Sequence, residues 1–242
     1  YADNELMSLI YDAGYEPVVL DLSKDEIPED CRLMICYNPT NDFMTSYDGI
    51  SEISEIEKLD KFLDGINSFM IFVSPSTPRL PNLEEYLYEW GVVFDRYTDE
   101  VNNTYNCVVK DTSQSLTFDG YTLVSDYVTD DNSLGKQVNN DLTNAGTAPK
   151  IIFSDAMPIK HSAAYDSTGY YSSNGYSRQI NDIFVTSGKA VVEANGVTVE
   201  KADDYNKIPL LTITTEGRQL SGSTTTDYSY VMACGSIDFA SE

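Results

Sequence analysis

Apolar residues near the start of the chain recur at helical spacing. Leu6, Leu9, Ile10 and Ala13 follow the capping candidates Asp3 and Asn4, and Gly14 can take the left-handed conformation that ends a helix. Pro17-Val18-Val19-Leu20 and Leu33-Met34-Ile35-Cys36 are short runs without alternation, the pattern of strands covered on both faces. A second helix opens at Ser51 or Ser54, with Glu52, Glu55 and Glu57 near its positive end. Ile53, Ile56, Leu59 and Leu63 form its stripe, and Gly65 follows. It leads into Phe69-Met70-Ile71-Phe72-Val73, a third buried-strand run ended by Ser74-Pro75. A third helix is predicted from Asn82 as cap, with Glu85 at the reciprocal position, Leu83, Leu87 and Trp90 along one face, and Gly91 closing it.

The alternation of strand and helix predicts right-handed crossovers and a three-layer α/β domain. Its sheet is expected to be mainly parallel, in the manner of flavodoxin or class I glutamine amidotransferases. From residue 98 to about 200 the pattern changes to short pieces between turns, among them Asn106–Val109, Ser115–Phe118 and Tyr121–Val124, which predicts a β-rich insertion. Leu134–Leu142 is a weak helix, and Lys150–Phe153 returns to a buried-strand pattern. Tyr165–Ser177, rich in Tyr, Ser, Gly and Asn and without period, reads as a surface loop. Ile183–Val185, Ala190–Glu193, Leu210–Thr214 and Tyr230–Cys234 complete the strands.

Composition narrows the function. At 242 residues and 41% hydrophobic content the chain can bury a sizeable core. A net charge of −24 argues against a nucleic-acid partner and against an anionic lipid surface. No apolar stretch approaches the ~20 residues needed to span a bilayer. The start at Tyr1 without an initiator Met, and the end at Gly235–Glu242, which follows the apolar run Tyr230–Ala233 without a polar tail, suggest a domain excised from a longer protein. The abundance of Tyr, Ser, Thr and Asn suggests an extracytoplasmic surface.

Candidate chemistry is sparse. Cys31, Cys36, Cys107 and Cys234 lack the spacing of a zinc ribbon or redox pair, and packing is their expected role. His161 is the sole histidine and no nucleophile elbow surrounds any Ser or Cys, so a hydrolase built on Cys36 or His161 is a minor alternative. Asp130, Asn132, Gly135 and Asp141 match a calcium loop poorly, with Leu134 at a ligand position, and no metal is expected. Asn102-Asn103-Thr104 fits a glycosylation sequon. No Gly-rich phosphate loop is present, so neither ATP nor another cofactor is expected. In an open parallel sheet a ligand would sit beyond the carboxyl ends of the strands, which singles out Asn38, Asn41, Ser74 and Ser76. Tyr165, Tyr170, Tyr171 and Tyr176 form a candidate interaction loop for sugars or proteins.

Several motifs in order carry a resemblance. Ile27-Pro28-Glu29-Asp30 precedes Leu33–Pro39; the helix Ile56–Gly65 leads to Met70–Pro75; Leu83–Trp90 is followed by Gly91-Val92; and Pro209-Leu210-Leu211 precedes the terminal Tyr230–Glu242. This order resembles the extracytoplasmic domain of gliding-motility-type (GldG-like) auxiliary components of ABC transporters. Ser236 and Ile237 depart from the family pattern, where Asp and Ser are usual, and Asn67-Ser68 stands where a second Gly is common. The resemblance implies a non-catalytic domain tethered at the outer face of a membrane by helices outside this sequence. Its partners would be a permease and a separate cytoplasmic ATPase, and an extracellular protein or glycan could be its contact. A surface carbohydrate- or peptide-binding module is the chief alternative, and a degenerate amidotransferase-like hydrolase the lesser one.

Overall fold

The computed structural model describes residues 4–45, 54–129, 133–144, 146, 149–173, 176–218 and 225–238. The order begins α1 (Asn4–Asp12), β1 (Leu33–Tyr37), α2 (Glu55–Asp64), β2 (Ser68–Phe72), α3 (Pro81–Glu89), β3 (Val92–Phe94), β4 (Arg96–Thr98), β5 (Thr104–Asn106) and β6 (Val108–Lys110). It continues with β7 (Thr122–Val124), β8 (Asp126–Tyr127), α4 (Leu134–Asn144), β9 (Ile152–Ser154), β10 (Ile159–His161) and β11 (Tyr170–Ser173). The remaining strands are β12 (Tyr176–Val185), β13 (Val191–Ala194), β14 (Val197–Lys201), β15 (Pro209–Arg218) and β16 (Asp227–Cys234).

A seven-stranded sheet of order β1-β2-β16-β15-β12-β11, with β8 also on β12, organises the chain. Only β1 with β2 and β2 with β16 pair in parallel; β16 with β15, β15 with β12, and β12 with both β11 and β8 are antiparallel. The mainly parallel, three-layer α/β architecture expected from the sequence is therefore wrong. The structure is a β-rich fold built on a mixed sheet with small sheets around it. The element order misled because the strand-helix-strand rhythm ends at residue 90. Beyond it, long strands return directly on one another: β15 and β16 stay in register from Leu211↔Cys234 to Arg218↔Asp227. Residues 98–200 supply β5 to β14; β8, β11 and β12 join the large sheet and the rest form small ones.

Strand alternation gives the sheet two faces. On one, Phe69, Ile71, Val231, Ala233 and Ile180 pack with Leu59 and Leu63 of α2 and Leu83, Leu87 and Trp90 of α2's neighbour α3. On the other, Phe72, Leu211 and Cys234 are buried with Ile183, with Met70, Ile213 and Met232 partly buried beside them. Their cover comes chiefly from the small sheets, through Val109, Leu123, Phe153 and Val192, with Leu6 of α1 and Leu134 and Val138 of α4 at its margin.

The second helix follows its sequence signal: Ser54 is the N-cap, and a capping box joins it to Glu57. The third does not. α3 starts at Pro81, the side chain of Asn82 donates to Phe43 O, and Asp42 from the connection between β1 and α2 accepts from the backbone N–H groups of Asn82 and Leu83. A cap supplied from 40 residues away has no local sequence signature. Pro17–Leu20 is not a strand, and Val18 and Val19 stand 64% and 89% exposed. Tyr165–Ser177 is not a single loop, since Tyr170–Ser173 and Tyr176 onward form the β11–β12 hairpin. Ser115–Phe118 contributes one isolated bridge, Ser115 to Leu123.

On the helix-covered face the sheet also buries charge. Arg178 and Glu216, opposite each other on β12 and β15, are 5% and 0% exposed, and Nε of Arg178 donates to Oε2 of Glu216 at 2.6 Å. Nη1 donates to Glu89 O at the end of α3, and the guanidinium lies between the rings of Trp90 and Tyr176, 4.2 and 4.7 Å from their centroids. Arg218 holds the other carboxylate oxygen of Glu216 and reaches Asp64 of α2. Replacing Arg178 by Met leaves the inner oxygen of a fully buried carboxylate unpaired. We predict a loss of about 3 kcal/mol or more by urea denaturation. Arg218→Met, at a partly exposed guanidinium, should cost clearly less.

Candidate functional site

The face opposite Arg178 is covered over only part of its length. Where β11, β12, β15 and β16 run on past the small sheets, their outward residues form two rows across the strands. Tyr230, Thr215, Gln179 and Tyr170 are register partners in one; Tyr228, Gly217, Ser177 and Ser172 are partners in the other. Tyr170, Tyr228 and Tyr230 are 43%, 47% and 40% exposed. Most of these residues, with Tyr176 and Thr226, line a shallow open groove of about 570 Å³.

Its shape follows from residue size. Ser177, Thr215 and Gly217, with Gln179, make a floor on the middle strands, and tyrosines at the flanks make walls. A Cβ on Gly217 would stand 3.1 Å from Cε1 of Tyr228, so glycine there lets the ring lean over the floor. The rings of Tyr228 and Tyr230 are neighbours, with centroids 6.4 Å apart. Arg178 is the charged residue of the lining, and its guanidinium is engaged on the opposite face.

Of the four tyrosines singled out in the sequence, Tyr170 and Tyr176 line the groove, whereas Tyr165 and Tyr171 are not in its lining. Tyr170 faces the groove. Tyr176 also lines it and covers Arg178, and its ring neighbours Tyr171, which in turn neighbours the buried Tyr165, with centroids 6.2 and 5.5 Å apart. Tyr165 donates to Glu89 O, and burial pushes its phenol well above the usual range. Tyr228, which completes the lining, falls outside the strand expected at Tyr230–Cys234, and Tyr230 stands next to it on the same side. Their alternation in Asp227-Tyr228-Ser229-Tyr230 was the available signal, and it places both on one side.

At the carboxyl ends of β1 and β2 the structure does bring Asn38, Ser74 and Ser76 together, but they satisfy one another. The Ser74 and Ser76 hydroxyls lie 2.7 Å apart, and Thr77 Oγ1 donates to Asn38 Oδ1 while accepting from the Ser74 N–H. Asn106 Nδ2 closes the knot on the carbonyls of Pro75 and Thr77. Asn41 lies exposed outside it. These bonds hold the loop that leads into α3.

No family model and no curated protein matches this chain. Among solved structures it is similar to the "mmIFT52 N-terminal domain", at 16% identity over 90% of this chain and 72% of that one, with a TM-score of 0.48.

Cys36 packs against the helix-covered core, and burial pushes its thiol up to about 12. Cys107 and Cys234 are buried and shifted likewise, and all four cysteines are free. Among the described residues no cluster of His, Cys, Asp and Glu is arranged to hold a metal ion; Gly135 and Asp141 lie in α4, and Asp130 and Asn132 fall outside the described residues. No helix among the described residues is long and apolar enough to cross a membrane.

His161 is held in a strand. It sits on β10 opposite Val92, and its Nε2 lies 2.9 Å from Oδ1 of Asp182 on β12. The hydrogen bond to that carboxylate raises the imidazole pKa above 6.5, outweighing partial burial. A raised folded-state pKa gives a stabilisation fully present below the unfolded value and lost as pH rises through the folded one. As His161 is the sole histidine, proton NMR should show a single imidazole titration above 6.5, and Asp182→Asn should bring it down. A midpoint unmoved by Asp182→Asn would contradict the assignment.

Proposed function

We propose that this chain is a non-catalytic contact domain whose working surface is the tyrosine-flanked groove on β11, β12, β15 and β16. One observation carries the proposal: among the described residues, a stretch of the sheet face is left exposed and dressed with the rings of Tyr170, Tyr228 and Tyr230 and with hydroxyls. Aromatic side chains cost free energy in water unless they meet something, and tyrosine supplies contact area with little rotamer entropy to lose. The surrounding chemistry supports the same reading. The thiols are held in their neutral form by burial, and the imidazole is bonded to Asp182.

In the setting implied by the resemblance to GldG-like components, such a surface would face the transported material or an outer partner. The permease and the ATPase would be separate subunits.

The groove is tested by placing a photoreactive phenylalanine at Tyr228 or Tyr170 in the protein within its own cells. Irradiation should give covalent adducts from both positions and none from Tyr205, which is 96% exposed on the β14–β15 connection. Adducts at Tyr205 as abundant as those at Tyr228 would contradict a dedicated surface.

A further inference from the structure

We infer that the occupant of the groove is a neutral oligosaccharide, which rests on the groove being the working surface. Three features select this chemistry. The first is charge. The chain carries −24, and the one cation of the lining, Arg178, is bonded to Glu216 and Glu89 O on the other face. A polyanionic ligand would meet repulsion with no free cation to offset it.

The second is the arrangement of rings. Tyr170 on β11 and the Tyr228–Tyr230 pair on β16 flank two intervening strands, which sets them about 14 Å apart, or three strand spacings. A pyranose presents an apolar face of C–H bonds that packs against an aromatic ring, while its rim of hydroxyls points sideways. Two ring platforms with a small-residue floor between them suit a short chain of such rings laid across the strands.

The third is the polar supply. Among the described residues, the hydroxyls of Tyr170, Ser172, Ser177 and Tyr228 have no hydrogen-bond partner within the protein, and a hydroxyl both donates and accepts. An extended peptide would need unpaired backbone groups and pockets for alternate side chains. Here the backbone groups of the floor strands β12 and β15 are already spent in their ladders, so a peptide could not pair across the floor.

The test uses the whole chain on an array holding neutral oligosaccharides (gluco-, manno-, galacto- and chito-hexaoses), anionic polygalacturonate and heparin, and neutral hexapeptides. Binding constants for retained probes are then measured by calorimetry. We expect capture of at least one neutral hexaose, weakened about ten-fold by Tyr228→Ala or Tyr170→Ala, the loss of one stacking platform. Gly217→Val, which fills the floor while keeping every tyrosine, should weaken it similarly, and Tyr205→Ala should not. Unchanged melting temperatures in these variants show that the fold is retained. Retention of peptides or polyanions in place of neutral sugars, lost in the same variants, overturns the ligand class but leaves the groove as the working surface. Sugar binding unmoved by all three groove variants overturns both, and failure to retain any neutral hexaose overturns the ligand class.

Discussion

The buried pair of Arg178 and Glu216 fixes which side of the large sheet is which. The two residues face each other across β12 and β15, so a slip of one residue in either strand would drive a guanidinium or a carboxylate onto the wrong face. Such a slip is costly because a charge taken out of water needs its partner in place. Glu89 O and the Trp90 ring extend the constraint to α3, and Arg218 with Asp64 extends it to α2. With Arg178 committed to the helix side, Ser177 and Gln179 must point the other way, and the groove floor is set by the same register.

The same alternation also explains the groove's composition. Every second residue of β12, β15 and β16 is bound to the helix side by packing or hydrogen bonds: Thr214 donates to Trp90 O, and Ser229 donates to Leu63 O. Among the described residues, no neighbouring layer meets the alternate residues over the uncovered stretch. They are Tyr, Ser, Thr, Gln and Gly, residues that tolerate water and can also meet a ligand. Further along the same strands the outward residues become Ile213, Met232 and Cys234, and there the small sheets and α4 close over them. The change from hydroxyl to hydrocarbon along a single strand face marks where the cover ends.

Much of the first ninety residues was legible because the signals there are local. The Ser54–Glu57 capping box, the stripe of Leu59 and Leu63, the runs at 33–36 and 69–73, and Gly91 with φ +83 all depend on neighbours within a few positions. What failed depended on distance in sequence. The antiparallel return of β15 on β12, the cap that Asp42 gives α3, and the pairing that turns Tyr170–Ser173 into an edge strand are made between segments whose sequences do not announce one another. The site followed suit: Tyr170 was singled out, but Tyr228 and Tyr230 lie 58 and 60 residues later and join it only through two intervening strands. The residues chosen from parallel-sheet geometry, Asn38, Ser74 and Ser76, do lie at the carboxyl ends of the parallel pair β1 and β2, but their side chains are taken up in bonds to one another and to Thr77.

The central claim is that the exposed stretch of this sheet face is where the protein meets its ligand. The most direct measurement is the map of backbone amide shifts in the isotopically labelled chain titrated with a neutral hexaose retained on the array. The account predicts that the shifting amides are confined to the groove stretches of β11, β12, β15 and β16, around Tyr170, Ser177, Gly217 and Tyr228. Shifts centred instead on α2 and α3, or on the loops after β1 and β2 near Asn38 and Ser74, would contradict it.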